Sequence, residues 1–272
     1  MLGADVCAAG ASAGDDVRAL THEELDITDA ALVEAAMRRA APDLVVNCAA
    51  WTDVDGAEAS PGAARAVNGA GAGNVARAAA SCGAWTVHVS SDYVFDGAKR
   101  EPYVESDRAA PLSQYGRSKL EGELSVAREA PELYTIVRSA WLFGLSGRCF
   151  PLTILRLARE RDVLTVVDDQ IGCPTFTAHL APVLLALGRG RVSGLVHASA
   201  GGHCSWFEFA RAIVQLSGAG CDVRPGRTAE LGRPAPRPAY SVLATERPAE
   251  VPALPDWQDG LSTYMAGAVT AR

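Results

Sequence analysis

Short apolar runs of four to six residues recur along this chain, and a longer helix-compatible stretch separates most of them from the next. The runs fall at residues 44–49, 85–90, 134–138, 164–167 and 194–198. Each is too short for a helix and is bounded by polar, Gly or Pro residues, as expected of a strand buried on both faces. Residues 30–41, 61–82, 115–130, 150–160, 178–187 and 206–216 read as helices. Asp29 stands where it would cap the first of these, and Pro42 stops it. This alternation predicts βαβ units, and hence an α/β fold: a doubly wound parallel sheet with helices on both faces. Residues 4–14 read as a further helix, residues 15–20 as a short strand after a turn, and residues 257–266 as a last helix. From 218 to 255 the chain is rich in Pro, Gly and Arg, and reads as an irregular arm with one short strand near 221–223.

Composition bounds the function. With 272 residues, 49% of them apolar and 21% charged, the chain can bury a sizeable core and is not globally disordered. A net charge of −7 repels phosphate backbones, so no nucleic-acid partner is expected. No run approaches the ~18 apolar residues of a membrane span. No basic segment followed by an apolar one opens the chain, which reads as cytoplasmic. The seven cysteines are scattered without a C-x-x-C pair, so free thiols are expected rather than a disulfide framework or a zinc site.

The strongest chemical signal is Tyr115-Gly116-Arg117-Ser118-Lys119. On a helix, Tyr115 and Lys119 share one face, a turn apart. A phenol titrates near pH 10, and a nearby ammonium favours its anion. A shift of about three units, or about 4 kcal/mol, would bring it to the working pH of general acid–base catalysis. Such a pair is common by chance as an exposed helix contact, so it needs company. It has some: residues 87–95 run from a buried strand into a polar loop carrying Ser90 and Ser91, either of which can donate to a substrate oxygen. Strand C-termini are where α/β folds place their sites.

A strand ending in Ser-Ser and followed by Tyr-x-x-x-Lys resembles the Ser/Tyr/Lys site of short-chain dehydrogenases. Within the extended members of that superfamily, the chain is similar to the dTDP-4-dehydrorhamnose reductase family. The matching segments are 25–29 (Leu-Asp-Ile-Thr-Asp), 46–58 (Val-Asn-Cys-Ala-Ala-Trp-Thr-Asp-Val-Asp-Gly-Ala-Glu), 91–97 (Ser-Asp-Tyr-Val-Phe-Asp-Gly), 137–144 (Val-Arg-Ser-Ala-Trp-Leu-Phe-Gly), 169–175 (Asp-Gln-Ile-Gly-Cys-Pro-Thr) and 237–243 (Arg-Pro-Ala-Tyr-Ser-Val-Leu). Six ordered matches are far more specific than any one.

The resemblance implies a Rossmann-like dinucleotide-binding domain over residues 1–145 and a mainly nucleotide-sugar-binding region over 146–272, with the strand near 194–198 rejoining the main sheet. It implies reduction of the 4-keto group of a dTDP-linked 4-keto-6-deoxysugar by NADPH. Ser91 would bind the ketone oxygen, Tyr115 would protonate the developing alkoxide, and Lys119 would tune Tyr115 and bond the nicotinamide ribose. Gly3, Asp26, Ile27, Ala49, Ala50 and Thr52 fall at cofactor positions. Asp92, Tyr93, Trp141, Gln170, Pro174, Thr175 and Arg237 fall at substrate positions, with Arg237 near the diphosphate. Some relatives form Mg²⁺-linked homodimers, which leaves a homodimer and a magnesium requirement open here; no metal-binding residue is named. Two alternatives stand beside the reductase: a nucleotide-sugar epimerase, and a non-catalytic binding protein on the same scaffold. A dehydratase is disfavoured, because Asp92 is followed by Tyr93 rather than Glu.

The sequence also departs from the family. The family opens with a strand and a G-x-x-G-x-x-G turn, whereas this chain opens at what resembles the third glycine, Gly3. The expectation is that Met1 is an internal methionine of a longer chain. A chain lacking the strand would be marginally stable and bind its cofactor weakly. His22 replaces an arginine suited to the 2′-phosphate of NADPH, which keeps NADH open. Cys149 replaces a family asparagine, which suits a deoxysugar other than rhamnose.

Overall fold

The computed structural model describes residues 1–270. In chain order the elements are α1 (Leu2–Ser12), α2 (Ala30–Ala40), β1 (Leu44–Asn47), α3 (Val54–Ala59), α4 (Pro61–Arg65), α5 (Ala72–Ser81), β2 (Trp85–Ser91), α6 (Gln114–Glu129), β3 (Tyr134–Ser139), β4 (Leu142–Phe143) and α7 (Phe150–Glu160). Then follow β5 (Val163–Val167), β6 (Ile171–Gly172), β7 (Thr175–Phe176), α8 (Thr177–Arg189), β8 (Gly194–His197), β9 (Cys204–Ser205), α9 (Trp206–Ser217), β10 (Asp222–Gly226) and α10 (Trp257–Thr270).

The main sheet is parallel, in the order β1-β2-β3-β8. Successive side chains on a strand point to opposite faces, and both faces here are covered. Trp85, Val87, Val137 and Val196 meet Leu2 and Val6 of α1 and Leu180 and Leu184 of α8 on one side. Ile136 meets Ala72 and Ala76 of α5 and Val126 of α6 on the other, and Val33 and Met37 of α2 pack on Val75 of α5. The sheet is therefore doubly wound, as the alternation predicted. The strand from the second half, β8, does rejoin it, beside β3.

A second core lies apart from the sheet. Phe143, Leu164, Phe176, Phe209, Ile213 and Leu261 bring α7, α9, α10 and the parallel pair β5–β10 together. The arm after α9 enters this layer through β10 and is otherwise irregular.

Residues 15–20 are not a strand. They are irregular, with Val17 38% and Leu20 46% exposed. A strand is stable only with a partner, and β1 pairs with β2 alone among the described residues. Residues 61–82 form α4 and α5 with a π-helical turn, Ala66–Gly71, between them rather than one regular helix. All seven cysteines are free thiols. Among the described residues no helix is long and apolar enough to cross a membrane.

Candidate active site

β2 delivers Ser91 to the C-terminal end of the sheet, in register with Ser139 on β3. There the chain turns: Ser91 Oγ accepts from the Tyr93 N–H at 3.1 Å and caps the single 3₁₀ turn Asp92–Val94. The preceding serine has other work. Ser90 Oγ donates to Glu123 Oε1 at 2.5 Å inside the protein. Of the two serines, Ser91 is the one left for the site.

α6 starts beside this turn. Ser113 caps it, accepting from the Gly116 N–H at 3.1 Å, and the Gln114 N–H donates to Glu58 Oε1 at 2.7 Å. A Cβ at Gly116 would run into the Tyr93 carbonyl oxygen, so only glycine permits this approach. The approach sets the rings of Tyr93 and Tyr115 edge to face, 5.7 Å apart, and brings the Tyr115 phenol under the influence of the Ser91 hydroxyl. One turn further along, Lys119 is 2% exposed, and its ammonium donates to the Val89 carbonyl at 2.7 Å.

The electrostatics correct one expectation. The Tyr115 phenol is not acidified: burial pushes it up to about 12, against the pull of a hydrogen bond with Ser91 and with a further push from Asp92. The Lys119 ammonium is turned to the Val89 carbonyl, and desolvation of the phenolate decides the direction. Lys119 itself is brought down to about 8 by burial, with Glu123 the leading group that pushes it up. Asp92 is 2% exposed and accepts from Ser91 Oγ at 3.0 Å and from Ser241 Oγ at 2.6 Å. Burial raises its carboxyl to about 6, although these hydrogen bonds lower it.

One residue that the sequence reading passed over ties the cofactor-side loop to α6. Asn68, in the π-helical turn, accepts the Trp51 N–H at 2.8 Å and donates to the Trp51 carbonyl at 3.1 Å and to Ser118 Oγ at 2.9 Å. Ser118 in turn donates to the Tyr115 carbonyl at 2.7 Å. The available signal was a polar residue within an Ala- and Gly-rich helical stretch, buried to 1%; π-helical turns often mark functional sites.

The loop so held follows β1 and carries Ala49 and Thr52, both exposed, and Ala50, half-buried. Gly3, in the first turn of α1, faces it: a Cβ there would lie 3.7 Å from Cys48 Cβ. Asp26 accepts from the Thr28 N–H and hydroxyl at 2.9 and 2.8 Å, and these bonds hold its carboxyl below the usual range. Ile27 points into the α2–α5 core, 7% exposed, leaving its backbone to border any adenine. This set fits a dinucleotide. Small residues allow close approach, a helix N-terminal turn offers N–H donors to phosphate, and Lys119 has ammonium protons beyond the one given to Val89.

The opposite wall is aromatic and basic. Trp141, with a φ of 47°, lies parallel to Trp206 with centroids 3.6 Å apart. A Cβ at Gly172 would strike the same Trp141 indole. Phe150 leans on Trp206 at 4.4 Å. Cys149, just before it, shares contacts of 3.6 Å with the Gly144 carbonyl and Tyr264 hydroxyl. Arg237, its side chain 11% exposed, grips Asp55 in a two-pronged pair at 3.0 and 2.8 Å and donates to the Ala235 carbonyl at 2.8 Å. Arg233 reaches the same carboxylate at 3.3 Å, and the three contacts hold Asp55 below its usual range together with the Ala235 N–H.

The structure thus gathers Ser91, Asp92, Tyr93, Tyr115 and Lys119 around the end of β2, and Trp141 packs on the cluster that contains Val94, Val242 and Leu243. It does not give every expected substrate residue a free polar group. Gln170 donates to Thr228 at 2.9 Å. Thr175 is wholly buried, donating to the Cys173 carbonyl and accepting from the Ala200 N–H, each at 3.1 Å. Pro174 is buried as well. These three shape the loop from within. Among the described residues no group of three or more His, Cys, Asp or Glu is arranged to hold a metal.

Comparison with known proteins bears on this geometry. A family model, the RmlD substrate binding domain, matches residues 1–269. A dTDP-4-dehydrorhamnose reductase of Mycobacterium tuberculosis is 44% identical, over 97% of this chain and 89% of that protein. A dTDP-4-keto-6-deoxy-D-glucose reductase of Streptomyces niveus is 42% identical over 89% of this chain and 85% of its own length. Among solved structures, a dTDP-4-dehydrorhamnose reductase of Bacillus anthracis in complex with NADP superposes with a TM-score of 0.94, at 36% identity over 98% of this chain and 95% of that one.

Proposed function

The chain belongs to the RmlD substrate-binding family, and on that premise we propose that it is an NADPH-dependent oxidoreductase that reduces the 4-keto group of a dTDP-linked 4-keto-6-deoxysugar. The observation that carries this reading is the meeting of Ser91, Tyr115 and Lys119 at the C-terminal end of β2 in a chain 44% identical to a protein named as such a reductase. The cofactor lies against residues 1–145, along the loop after β1, and the nucleotide-linked sugar against Trp141 and the arm carrying Arg237.

When bound, NADPH supplies the hydride to the carbonyl carbon. The chain's own residues handle the oxygen. The Ser91 hydroxyl turns its one proton from Asp92 to that oxygen, so negative charge developing there meets a hydrogen-bond donor. Tyr115 delivers the proton that completes the alcohol. A phenol held near 12 is fully protonated at neutral pH, the form a reductase needs. Lys119, cationic below about pH 8, lowers the cost of the phenolate left behind and offers its remaining protons to the ribose.

The test is loss of NADPH absorbance with dTDP-4-dehydrorhamnose, wild type against Tyr115→Phe. Removing the proton donor should cut kcat by about 10²–10⁴-fold with little change in KM. Equal rates would exclude Tyr115 as the acid, and no oxidation by either protein would exclude the reductase.

A further inference from the structure

Tyr115, Lys119 and Glu123 stand at successive turns along one face of α6, and only the first two have a part in the reaction so far. Glu123 is 5% exposed. Its Oε1 accepts from Ser90 Oγ at 2.5 Å and from Arg138 Nε at 2.8 Å, and its Oε2 from Arg138 Nη2 at 2.6 Å. Arg138, on β3, is 4% exposed, lies over the Phe95 ring, and reaches His197 Nε2 at 3.5 Å. His197 Nδ1 lies 2.9 Å from the Ala244 carbonyl and 3.1 Å from that of Tyr103. The proton therefore sits on Nδ1, and Nε2 can accept from the guanidinium. A crossbeam of satisfied polar groups runs from β2 through α6 and β3 to β8, directly below the site.

Its position matters. Ser90 lies between Val89, whose carbonyl holds the Lys119 ammonium, and Ser91. Other titratable groups around that ammonium are Cys48 after β1 and His88 on β2. Burial keeps the Cys48 thiol protonated and His88 neutral, so neither supplies a counter-charge. Glu123 is the carboxylate that does, and it also neutralises Arg138.

We propose that Glu123 is a positioning residue for Lys119: tethered to Ser90 and paired with Arg138, it fixes the end of β2 against α6 and balances the charge around the ammonium. The inference rests on the reading of Tyr115 and Lys119 as the reductase pair. Burial lowers Lys119, and Glu123 is the leading group opposing that fall.

The sequence contains only two lysines, Lys99 and Lys119, so ε-¹³C-lysine NMR of the full chain resolves the group directly. Lys99→Arg assigns the remaining signal. In Glu123→Gln, the Lys119 titration midpoint should drop by about one unit, a tenfold change in proton affinity, because Arg138 is left uncompensated beside it. Adding Arg138→Met should return it. An unchanged midpoint in Glu123→Gln, or one that stays low in the paired variant, overturns the proposal. Should Glu123→Gln fail to fold, Ser90→Ala keeps the ion pair and tests the tether. A kcat lowered about tenfold with unchanged KM for the dTDP-sugar supports it, and wild-type kcat overturns it. The NMR titration needs neither cofactor nor sugar, so its failure sinks the role of Glu123, whereas a wild type that reduces no keto sugar sinks the functional reading alone.

Discussion

On one side of the site, Ser91, Tyr115 and Lys119 are placed by strand register and by a helix that comes too close to the turn after β2 for any side chain at Gly116. On the other, Trp141 and Arg237 are placed by side chains gripping side chains: one indole on another, one guanidinium on Asp55. The first arrangement is set by backbone and has little give, because a shift of α6 would disturb the sheet contacts beneath it. The second consists of bonds that a diphosphate or a sugar ring could share or replace. Proton transfer needs near-fixed distances, whereas substrate recognition can be adjusted contact by contact. Mutations on the two sides should therefore divide between kcat and KM.

The sharpest way to break this division is Gly116→Ala. The new methyl meets the Tyr93 carbonyl, so the start of α6 must move and carry Tyr115 with it. A kcat about 10²-fold lower, with sugar KM within a few-fold of wild type, is the expected outcome of steady-state kinetics. Wild-type turnover would mean that the close approach does not position Tyr115.

Next in size is Arg237→Ala. Loss of one charge-assisted hydrogen bond from the guanidinium to the diphosphate is worth about 2 kcal/mol, so KM for the dTDP-sugar should rise about 30-fold while kcat stays within twofold. Arg237→Lys should recover only part of this, since an ammonium lacks the planar fork. A fall in kcat instead would show that the arm positions the reacting groups, and the contrast between the two sides would be lost.

The same division explains what could be read from sequence. The βαβ order was readable because buried strands leave apolar runs, as in Leu44-Val45-Val46, and because Asp29 caps its helix through local bonds to Ala31 and Leu32. Tyr115 and Lys119 were readable because helical spacing alone puts them on one face. Where a partner lies far along the chain, local pattern is silent. Residues 15–20 alternate in a way that suggests a strand but have no strand to pair with. The choice between Ser90 and Ser91 depends on Glu123, 33 residues on. Asn68 acts on Trp51 and Ser118, and Trp206 meets Trp141 only in the folded chain. The sign of the Tyr115 shift was missed for a related reason: spacing reveals the lysine but not the burial that outweighs it.

Trp206 gives the mildest test of the recognition side. Its ring covers one face of Trp141 at an interplanar angle of 5°, with Phe150 against it, while a side chain at Gly172 would collide with the Trp141 indole. Trp141 is held in this place despite a left-handed backbone that a bulky residue adopts only at a cost of about 1–3 kcal/mol. Trp206→Ala removes one support and leaves the backbone of α9 intact. An aromatic pair contributes about 0.5–1.5 kcal/mol beyond its buried area, so KM for the dTDP-sugar should rise about fivefold with kcat unchanged, and Trp206→Phe should restore most of it. If Trp206 instead lies where the sugar must enter, the alanine variant will bind more tightly than wild type. Calorimetric titration with dTDP separates the two outcomes: a nucleotide affinity unchanged by the substitution assigns the effect to the sugar ring, and one that changes in step with KM assigns it to the base.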